Sequence, residues 1–262
     1  MAEPLVIYEQ VGRVALLKLN DPSTLNAFST KLAEALVAAV DRAKREAGAI
    51  VLTGQGRGFS SGASLSGGIA DVEASKRDVG ARLEDIFNPL MLRIRDLPMP
   101  YVTAVNGAAA GVGCSFALAG DLVVAAQSAY FLQAFAKIGL VPDGGSTYLL
   151  AASAGRVRAM EAMLLAEKIP AAQAYEWGLV NRVVPDADVV TVALDLAKRL
   201  SEGPTEALGV IRKLAWSALE LPFEKQLEAE RQAQKQVGTS PDFDEGVAAF
   251  REKRAAKFPG RG

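Results

Sequence analysis

The stretch Tyr101–Asp121 reads YVTAVNGAAAGVGCSFALAGD and places an apolar run, a small-residue turn and a helix start in direct succession. The stretch Ala49–Leu65, AIVLTGQGRGFSSGASL, follows the same order. A short continuous apolar run of this kind is typical of a buried strand. Small residues let a ligand approach the backbone, and N–H groups at a helix start have no partner within the helix. The two turns are therefore expected either to hold one oxyanion between two N–H donors or only to permit tight strand–helix packing.

The surrounding pattern predicts an α/β core followed by helices. The elements predicted before Pro98 are strands at Leu5–Glu9, Val14–Asn20 and Ala49–Thr53, a helix at Ser29–Ala47 and a glycine-rich loop at Gly54–Gly68. After it come a strand at Tyr101–Val105, a turn at Asn106–Gly113, a strand at Leu122–Ala126, and helices at Ala187–Ser201, Thr205–Leu219, Phe223–Val237 and Phe243–Arg254. We place the core at residues 1–203 and a helical region at 204–262. The helical region is expected to dock on a neighbouring subunit.

The composition excludes several classes of function. The 262 residues include no histidine and one cysteine, and the formal net charge is −1. Without histidine, the G-x-S-x-G pattern at Gly58–Gly62 cannot work as a nucleophile elbow, and histidine-ligated metal sites are excluded. A nearly neutral chain is not expected to bind nucleic acid. No apolar run approaches the ~20 residues that span a bilayer, and no signal-peptide pattern is present, so we expect a cytoplasmic protein without a membrane partner.

Several segments, taken together, resemble the crotonase or enoyl-CoA hydratase/isomerase superfamily in their order and spacing. They are LNAF (25–28), GFSSGA (58–63), AVNG (104–107), GVG (111–113), GLVPDGG (139–145), AAQAYEWGLV (171–180) and EGVAAFREKR (245–254). Within the superfamily, Phe131–Asp143 is most similar to the bacterial phenylacetate-pathway ring-epoxide isomerase group. The resemblance implies a crotonase-like spiral of ββα units with a C-terminal helical region that forms trimers or hexamers. It also implies a bound acyl-CoA thioester whose carbonyl lies in an oxyanion hole.

The resemblance also assigns site residues by position. The two donors of the oxyanion hole are the backbone N–H groups of Ala63 and Val112. Position 112 is often glycine in the family, but a backbone donor is unaffected by this change. Ser64 stands where the family usually has aspartate, which would affect CoA binding or loop order. The predicted CoA contacts are Leu25, Ala27, Ser61, Ala63, Leu65, Phe250 and Lys253, the last two in this or an adjacent subunit.

The acid–base positions distinguish between reactions. Typical hydratases of the family carry two glutamates, and the matching positions here are Ser115 and Phe135, neither of which is an acid or a base. Asp143 matches the catalytic carboxylate of some enoyl-CoA isomerases. The alternative for Asp143 is an ordinary turn or N-cap, because Pro-Asp-Gly-Gly is also typical turn sequence. Glu84 and Asp85 are reserve candidates.

One carboxylate suffices to move a double bond, because it can take a proton from Cα and return it to Cγ of a dienolate held by the hole. Hydration needs an activated water and a protonated carbon, which is easier with two groups. We therefore predict an enoyl-CoA isomerase for an unsaturated or ring-derived acyl-CoA, with no metal or redox cofactor. A hydratase is the alternative, and a non-catalytic acyl-CoA-binding or RNA-binding protein is the alternative from another class. Asp121 and Cys114 are predicted to be structural.

Overall fold

The computed structural model describes residues 3–64, 72–76 and 78–260, which form two β-sheets with helices packed around them. The strands are β1 (Val6–Val11), β2 (Val14–Leu19), β3 (Ala49–Gly54), β4 (Gly58–Ser60), β5 (Tyr101–Val105), β6 (Ala108–Ala110), β7 (Leu122–Ala126), β8 (Tyr130–Leu132), β9 (Ile169–Pro170) and β10 (Arg182–Val184). The α-helices are α1 (Thr30–Glu46), α2 (Asn88–Arg95), α3 (Val112–Leu118), α4 (Ser146–Leu165), α5 (Ala171–Glu176), α6 (Val189–Ser201), α7 (Thr205–Ser217), α8 (Phe223–Val237) and α9 (Pro241–Glu252). A π-helical turn spans Leu83–Phe87, and a 3-10 turn spans Ala134–Ile138.

The chain winds between the two sheets. The larger sheet has the strand order β1-β2-β3-β5-β7-β10 and the smaller one β4-β6-β8-β9. The pairs β3–β4, β5–β6 and β7–β8 each place one strand in each sheet, and α2, α3 and α4 follow them. Since each pair is followed by a helix, the predicted α/β spiral of ββα units with helices at its C-terminal end is confirmed.

The direction of the strands determines where a site can form. In the smaller sheet β4, β6 and β8 are parallel, with Gly58 opposite Ala108 and Ala110 opposite Leu132. Their carboxyl ends therefore lie along the same edge of the sheet. Ligands in parallel α/β structures bind beyond this edge, because the connecting segments leave the sheet there. The segments that leave it here begin at residues 61, 111 and 133.

Most predicted elements agree with the structure, and two loops do not. The helix predicted at Ser29–Ala47 is α1, and Ser29 caps it, with its Oγ accepting the N–H of Leu32 at 3.2 Å. The loop predicted at Gly54–Gly68 and the turn predicted at Asn106–Gly113 contain β4 and β6, so both predictions were wrong in this respect. Three-residue strands of glycine, alanine, serine and phenylalanine are too short to show a period of two.

The core lies between the larger sheet and its helices. β3 and β5 are buried along their whole length, which explains their continuous apolar sequence. Helix α1 packs on β1 and β2, and α6 packs on β3, β5 and β7. Among the described residues no helix combines the length and the apolar character needed to cross a membrane.

Arg212 on α7 fastens the C-terminal helices to the core. Its side chain is only 5% exposed, and Nε donates to Oδ2 of Asp121 at 2.5 Å. Nη1 donates to the carbonyl oxygens of Arg95 and Leu97 at 3.1 and 2.6 Å, and Nη2 donates to that of Ile94 at 3.1 Å. Backbone carbonyls at the end of a helix lack helical donors, and here the guanidinium supplies them. Asp121 also accepts the N–H of Tyr101 at 2.7 Å, so its role is the structural one predicted.

We expect Arg212→Leu to lower the free energy of unfolding by about 3–5 kcal/mol, because it leaves the Asp121 carboxylate without its partner. Denaturant unfolding measures the loss. Lys213→Leu is the matched control, since it makes the same change at the next, exposed residue. The control should stay within about 0.5 kcal/mol of the wild type. A similar loss of unfolding free energy in the two variants would contradict the role of Arg212 in holding the C-terminal helices on the core.

Candidate active site

The two glycine-rich turns meet at the carboxyl edge of the smaller sheet. A Cβ added to Gly62 would lie 2.9 Å from the carbonyl oxygen of Ala110, and one added to Gly111 would lie 3.6 Å from Cα of Gly62. Gly62 also has a φ of 101°, which side chains rarely adopt. The glycines thus permit close packing, and the same approach places Ala63 and Val112, the next residues of the two turns, on one cavity.

The N–H groups of these two residues are available to a ligand. Ala63 lies opposite Phe28 in an isolated β-bridge, whose hydrogen bonds are made by the residues on either side of Ala63. The N–H of Phe28 donates to the carbonyl oxygen of Gly62 at 2.7 Å, and the N–H of Ser64 donates to the carbonyl oxygen of Phe28 at 3.0 Å. Val112 is the first residue of α3, where an N–H has no helical acceptor. Neither the Ala63 N–H nor the Val112 N–H donates to an acceptor in the described part of the chain. Two such donors on one cavity form a candidate oxyanion hole.

The cavity has a volume of about 260 Å³ and lies between these turns, the π-helical turn and the segment after β8. Its apolar lining includes Val79, Leu83, Phe87, Ala134, Phe135, Ile138 and Leu140, and its polar lining is Ser61, Ser64, Asp78, Arg82, Lys137 and Asp143. Mostly apolar walls with a few polar groups are typical of small-molecule sites. A larger cavity of about 800 Å³, between the end of α2 and helices α7 and α8, contains none of the predicted site residues.

Asp143 faces the cavity with a carboxyl group that has little access to water. The residue is half-buried, and its Oδ1 is buried and accepts no hydrogen bond from any described residue. Burial raises the pKa of Asp143 from 3.8 to about 6, because the charged form loses hydration. The carboxylate is therefore mostly ionised at neutral pH and is a stronger base than an exposed aspartate.

The two hydratase positions have other roles here. Phe135 is buried and forms an apolar wall of the cavity. Ser115 is also buried, does not line the cavity, and donates through Oγ to the carbonyl oxygen of Asp143 at 2.9 Å. Because this hydroxyl is already engaged and the phenyl ring has no proton to exchange, neither position can activate a water molecule.

Other carboxylates near the cavity are differently placed. Asp78 lines the cavity but is exposed, and its Oδ1 accepts the N–H groups of Gly80 and Ala81 at 2.8 and 3.1 Å. Glu84 and Asp85, the reserve candidates, are exposed and do not line the cavity. Leu83 and Phe87 of the same π-helical turn line the cavity, because they lie on the opposite side of the turn from Glu84 and Asp85.

Of the predicted CoA contacts, Ser61 lines the cavity, and its hydroxyl donates to the carbonyl oxygen of Thr24 at 2.8 Å. Leu25 is adjacent to this turn, since its carbonyl accepts the N–H of Ser61 at 2.9 Å. Neither Leu25 nor Ala27 lines the cavity. Leu65 lies outside the described residues, so its predicted contact has no structural counterpart here.

The C-terminal residues are not part of this cavity within a single chain. Phe250 on α9 is 85% exposed and lines a separate cavity of about 440 Å³. Lys253 directly follows α9 and is also exposed. Neither residue lines the first cavity, so their predicted contact with CoA in this or an adjacent subunit stays a prediction.

Two cationic side chains on the cavity were not identified from the sequence. Arg82 precedes the π-helical turn, and its Nη1 donates to the carbonyl oxygen of Ser64 at 3.2 Å. Lys137 belongs to the 3-10 turn after β8. Arg82 lies in a polar stretch and Lys137 is a single charge in a mostly apolar one, and neither pattern tells a residue on the cavity from one on the solvated surface.

Comparisons with known proteins agree with this geometry. The enoyl-CoA hydratase/isomerase family matches residues 9–261. The chain is 42% identical to the 1,2-epoxyphenylacetyl-CoA isomerase of Escherichia coli (strain K12) over 263 residues, and 42% identical to a probable enoyl-CoA hydratase of Rhodobacter capsulatus over 265 residues, with 100% of each chain covered in both cases. The crystal structure of an enoyl-CoA hydratase from Bacillus anthracis matches with a TM-score of 0.91 at 27% identity, covering 98% of this chain and 99% of that one.

A ββα spiral with two N–H donors on an apolar cavity defines an enzyme of acyl-thioester chemistry. The chain belongs to the enoyl-CoA hydratase/isomerase (crotonase) family. The resemblance to the phenylacetate-pathway isomerase group is also confirmed. Both alignments span the whole length of the chain.

We expect Val112→Pro to lower kcat by roughly 10²-fold or more, the loss that follows removal of one oxyanion-hole donor. Proline removes the N–H but suits the first position of a helix, so the fold should be kept. Thr30→Pro is the matched control, because Thr30 is the exposed first residue of α1 and follows the extended Ser29. Steady-state kinetics on an acyl-CoA substrate should show no change for the control. An unchanged kcat for Val112→Pro would remove this N–H from the candidate hole.

Proposed function

We propose that this enzyme is an enoyl-CoA isomerase that moves the double bond of an acyl-CoA thioester, with Asp143 as its acid–base group. The observation that carries the proposal is a buried carboxylate oxygen that accepts no hydrogen bond from the described residues, on the same cavity as two available N–H groups. Asp143 takes a proton from Cα of a 3-enoyl thioester and returns it to Cγ. The N–H groups of Ala63 and Val112 stabilise the negative charge on the thioester oxygen in between.

The environment of Asp143 suits this proton transfer. A pKa of about 6 keeps the group ionised at neutral pH and brings its proton affinity nearer to that of a carbon acid in the hole. The transfer leaves the oxidation level of the substrate unchanged, so the proposal includes no redox cofactor, and it assigns the stabilisation of the oxyanion to the N–H donors and not to a metal ion. The substrate class is an unsaturated or ring-derived acyl-CoA, which the name of the Escherichia coli relative supports.

Hydration of a 2-enoyl-CoA is the second candidate, because the Rhodobacter capsulatus relative is a probable hydratase. A hydratase must activate water and protonate carbon, and the positions of its two glutamates hold Ser115 and Phe135. Turnover on paired 3-enoyl-CoA and 2-enoyl-CoA substrates, followed by mass spectrometry, distinguishes the two reactions. We expect 3-enoyl-CoA to be converted without a change in mass. A product heavier by one water would support hydration, and no conversion of either substrate would support a binding protein.

We expect Asp143→Asn to lower isomerase kcat by at least ~10²-fold, the low end of what a positioned general base contributes, while acyl-CoA binding changes little. Wild-type kcat should fall as the pH falls through about 6, because the carboxylate becomes protonated. Asp188→Asn, at an exposed position away from the cavity, is the matched control and should keep both kcat and its pH profile.

The same variant distinguishes a base from a turn residue. The pKa of Asp143 is about 6 in the folded chain, against an ordinary value of 3.8, so the folded state binds more protons between these values. Stability from this group is therefore lost as the pH rises from about 4 to about 6. Near pH 8 the thermal unfolding midpoint of Asp143→Asn should be higher than that of the wild type. This difference should disappear as the pH falls, because the wild-type carboxyl becomes protonated. A variant that loses both binding and stability near pH 8 would favour the turn role.

We further propose that the protein is a homo-oligomer, a trimer or a hexamer. Large apolar side chains are exposed on the helices after β8, namely Val157, Leu164 and Leu165 on α4, Ile211 on α7, Phe223 and Leu227 on α8, and Phe243 and Phe250 on α9. Such groups of exposed apolar residues typically mark contacts between proteins. Sedimentation velocity at micromolar concentration should give a species several times heavier than one chain. A monomer under these conditions would contradict the proposal.

A further inference from the structure

The carbonyl oxygen of Asp143 accepts three hydrogen bonds, from groups on two different helices. The Oγ–H of Ser115 on α3 donates to it at 2.9 Å. Ser146, the first residue of α4, donates to it through Oγ at 2.7 Å and through its backbone N–H at 3.1 Å. Both serines are fully buried. The Ser146 bonds close a local turn, whereas the Ser115 bond joins two elements that are distant in sequence.

A second contact fixes the same turn. A Cβ added to Gly144 would lie 2.9 Å from Cβ of Ser115 and 3.0 Å from Cγ2 of Val112. The backbone after Asp143 is therefore in close contact with the first turn of α3. This short helix carries the candidate hole donor at its first residue and the Ser115 hydroxyl three residues later.

We infer that Ser115 is a positioning residue that holds the main chain of Asp143 at a fixed place relative to the Val112 N–H, with Ser146 as the second anchor. The inference rests on the proposed function, in which Asp143 is the base and Val112 is a hole donor. It assigns a new role to the position at which hydratases of the family carry a glutamate. The serine acts through the backbone of the base and does not touch the reacting atoms.

The choice of acceptor has a chemical consequence. A donor to the carboxylate itself would stabilise the anion and weaken the base. Holding the carbonyl oxygen fixes the residue, while the carboxylate oxygen Oδ1 accepts no hydrogen bond within the described part of the chain. Since the segment before Ser146 has no regular secondary structure, these side-chain bonds restrain a turn that neither helix nor sheet would hold.

The test compares Ser115→Ala with Ser201→Ala in the full-length enzyme. Ser201 is the matched control, because it is also fully buried and its Oγ donates to a backbone carbonyl, that of Lys198, at 2.9 Å outside the cavity. We expect Ser115→Ala to lower kcat roughly ten- to a hundredfold, as a misplaced catalytic group does, with KM nearly unchanged. The acidic limb of the kcat profile should move to lower pH, because a looser turn lets water reach the carboxylate. Ser201→Ala should change neither.

Two results would overturn the inference: a Ser115→Ala enzyme that keeps the wild-type kcat and pH profile, as Ser201→Ala should, or one that loses kcat with an unmoved acidic limb. Ser146→Ala tests the same carbonyl if Ser115→Ala does not fold, and it should show a smaller change of the same kind because the backbone N–H remains.

Asp143→Asn, measured in the same assay, separates a failure of the proposed function from a failure of the positioning role. If Asp143→Asn stays active, the proposed function fails. If it is inactive while both serine variants are normal, only the positioning role fails.

Discussion

The close approach of Gly62 to Ala110 and Gly111 is the constraint on which the site depends. A side chain on Gly62 would collide with the Ala110 carbonyl, so the two turns can touch only where no Cβ is present. This contact follows from the parallel pairing of β4 with β6, which brings both strands to an end at one edge. With the turns in contact, the next residue of each, Ala63 and Val112, lies on the same cavity, and its N–H donates to no acceptor among the residues that the structure describes.

The rest of the site is arranged around that edge. β8 lies parallel to β6, so the segment after it leaves the sheet beside the same cavity and brings Phe135, Leu140 and Asp143 to its wall. Apolar neighbours deprive the Asp143 carboxyl of water, which raises its pKa. In the proposed isomerisation the two are complementary, because the backbone donor pair would stabilise the enolate oxygen and the desolvated carboxylate would move the proton whose removal forms it.

The sequence predicted the large elements better than the small ones. The buried runs of β3, β5 and β7 and the amphipathic α1, α6 and α8 carry clear periodic or apolar signals, and each is found within about two residues of its predicted position. The strands β4, β6 and β8 have three residues each, which is too short to show a periodic pattern. Helix α4 was not predicted, because its apolar residues do not follow one face and its backbone is interrupted at Gly155.

The sequence alone determined the family, the lack of histidine chemistry and the residue types at the acid–base positions, since these depend only on which side chains are present and in what order. The tertiary structure decided which of them share a cavity. It placed Arg82 and Lys137 on the wall, left Glu84 and Asp85 in solvent, and put Phe250 on a different surface. It also brought the Ser115 hydroxyl to the backbone carbonyl oxygen of Asp143. These two residues are 28 positions apart and meet through the packing of one helix start on another turn, and no local pattern in the sequence records such a contact.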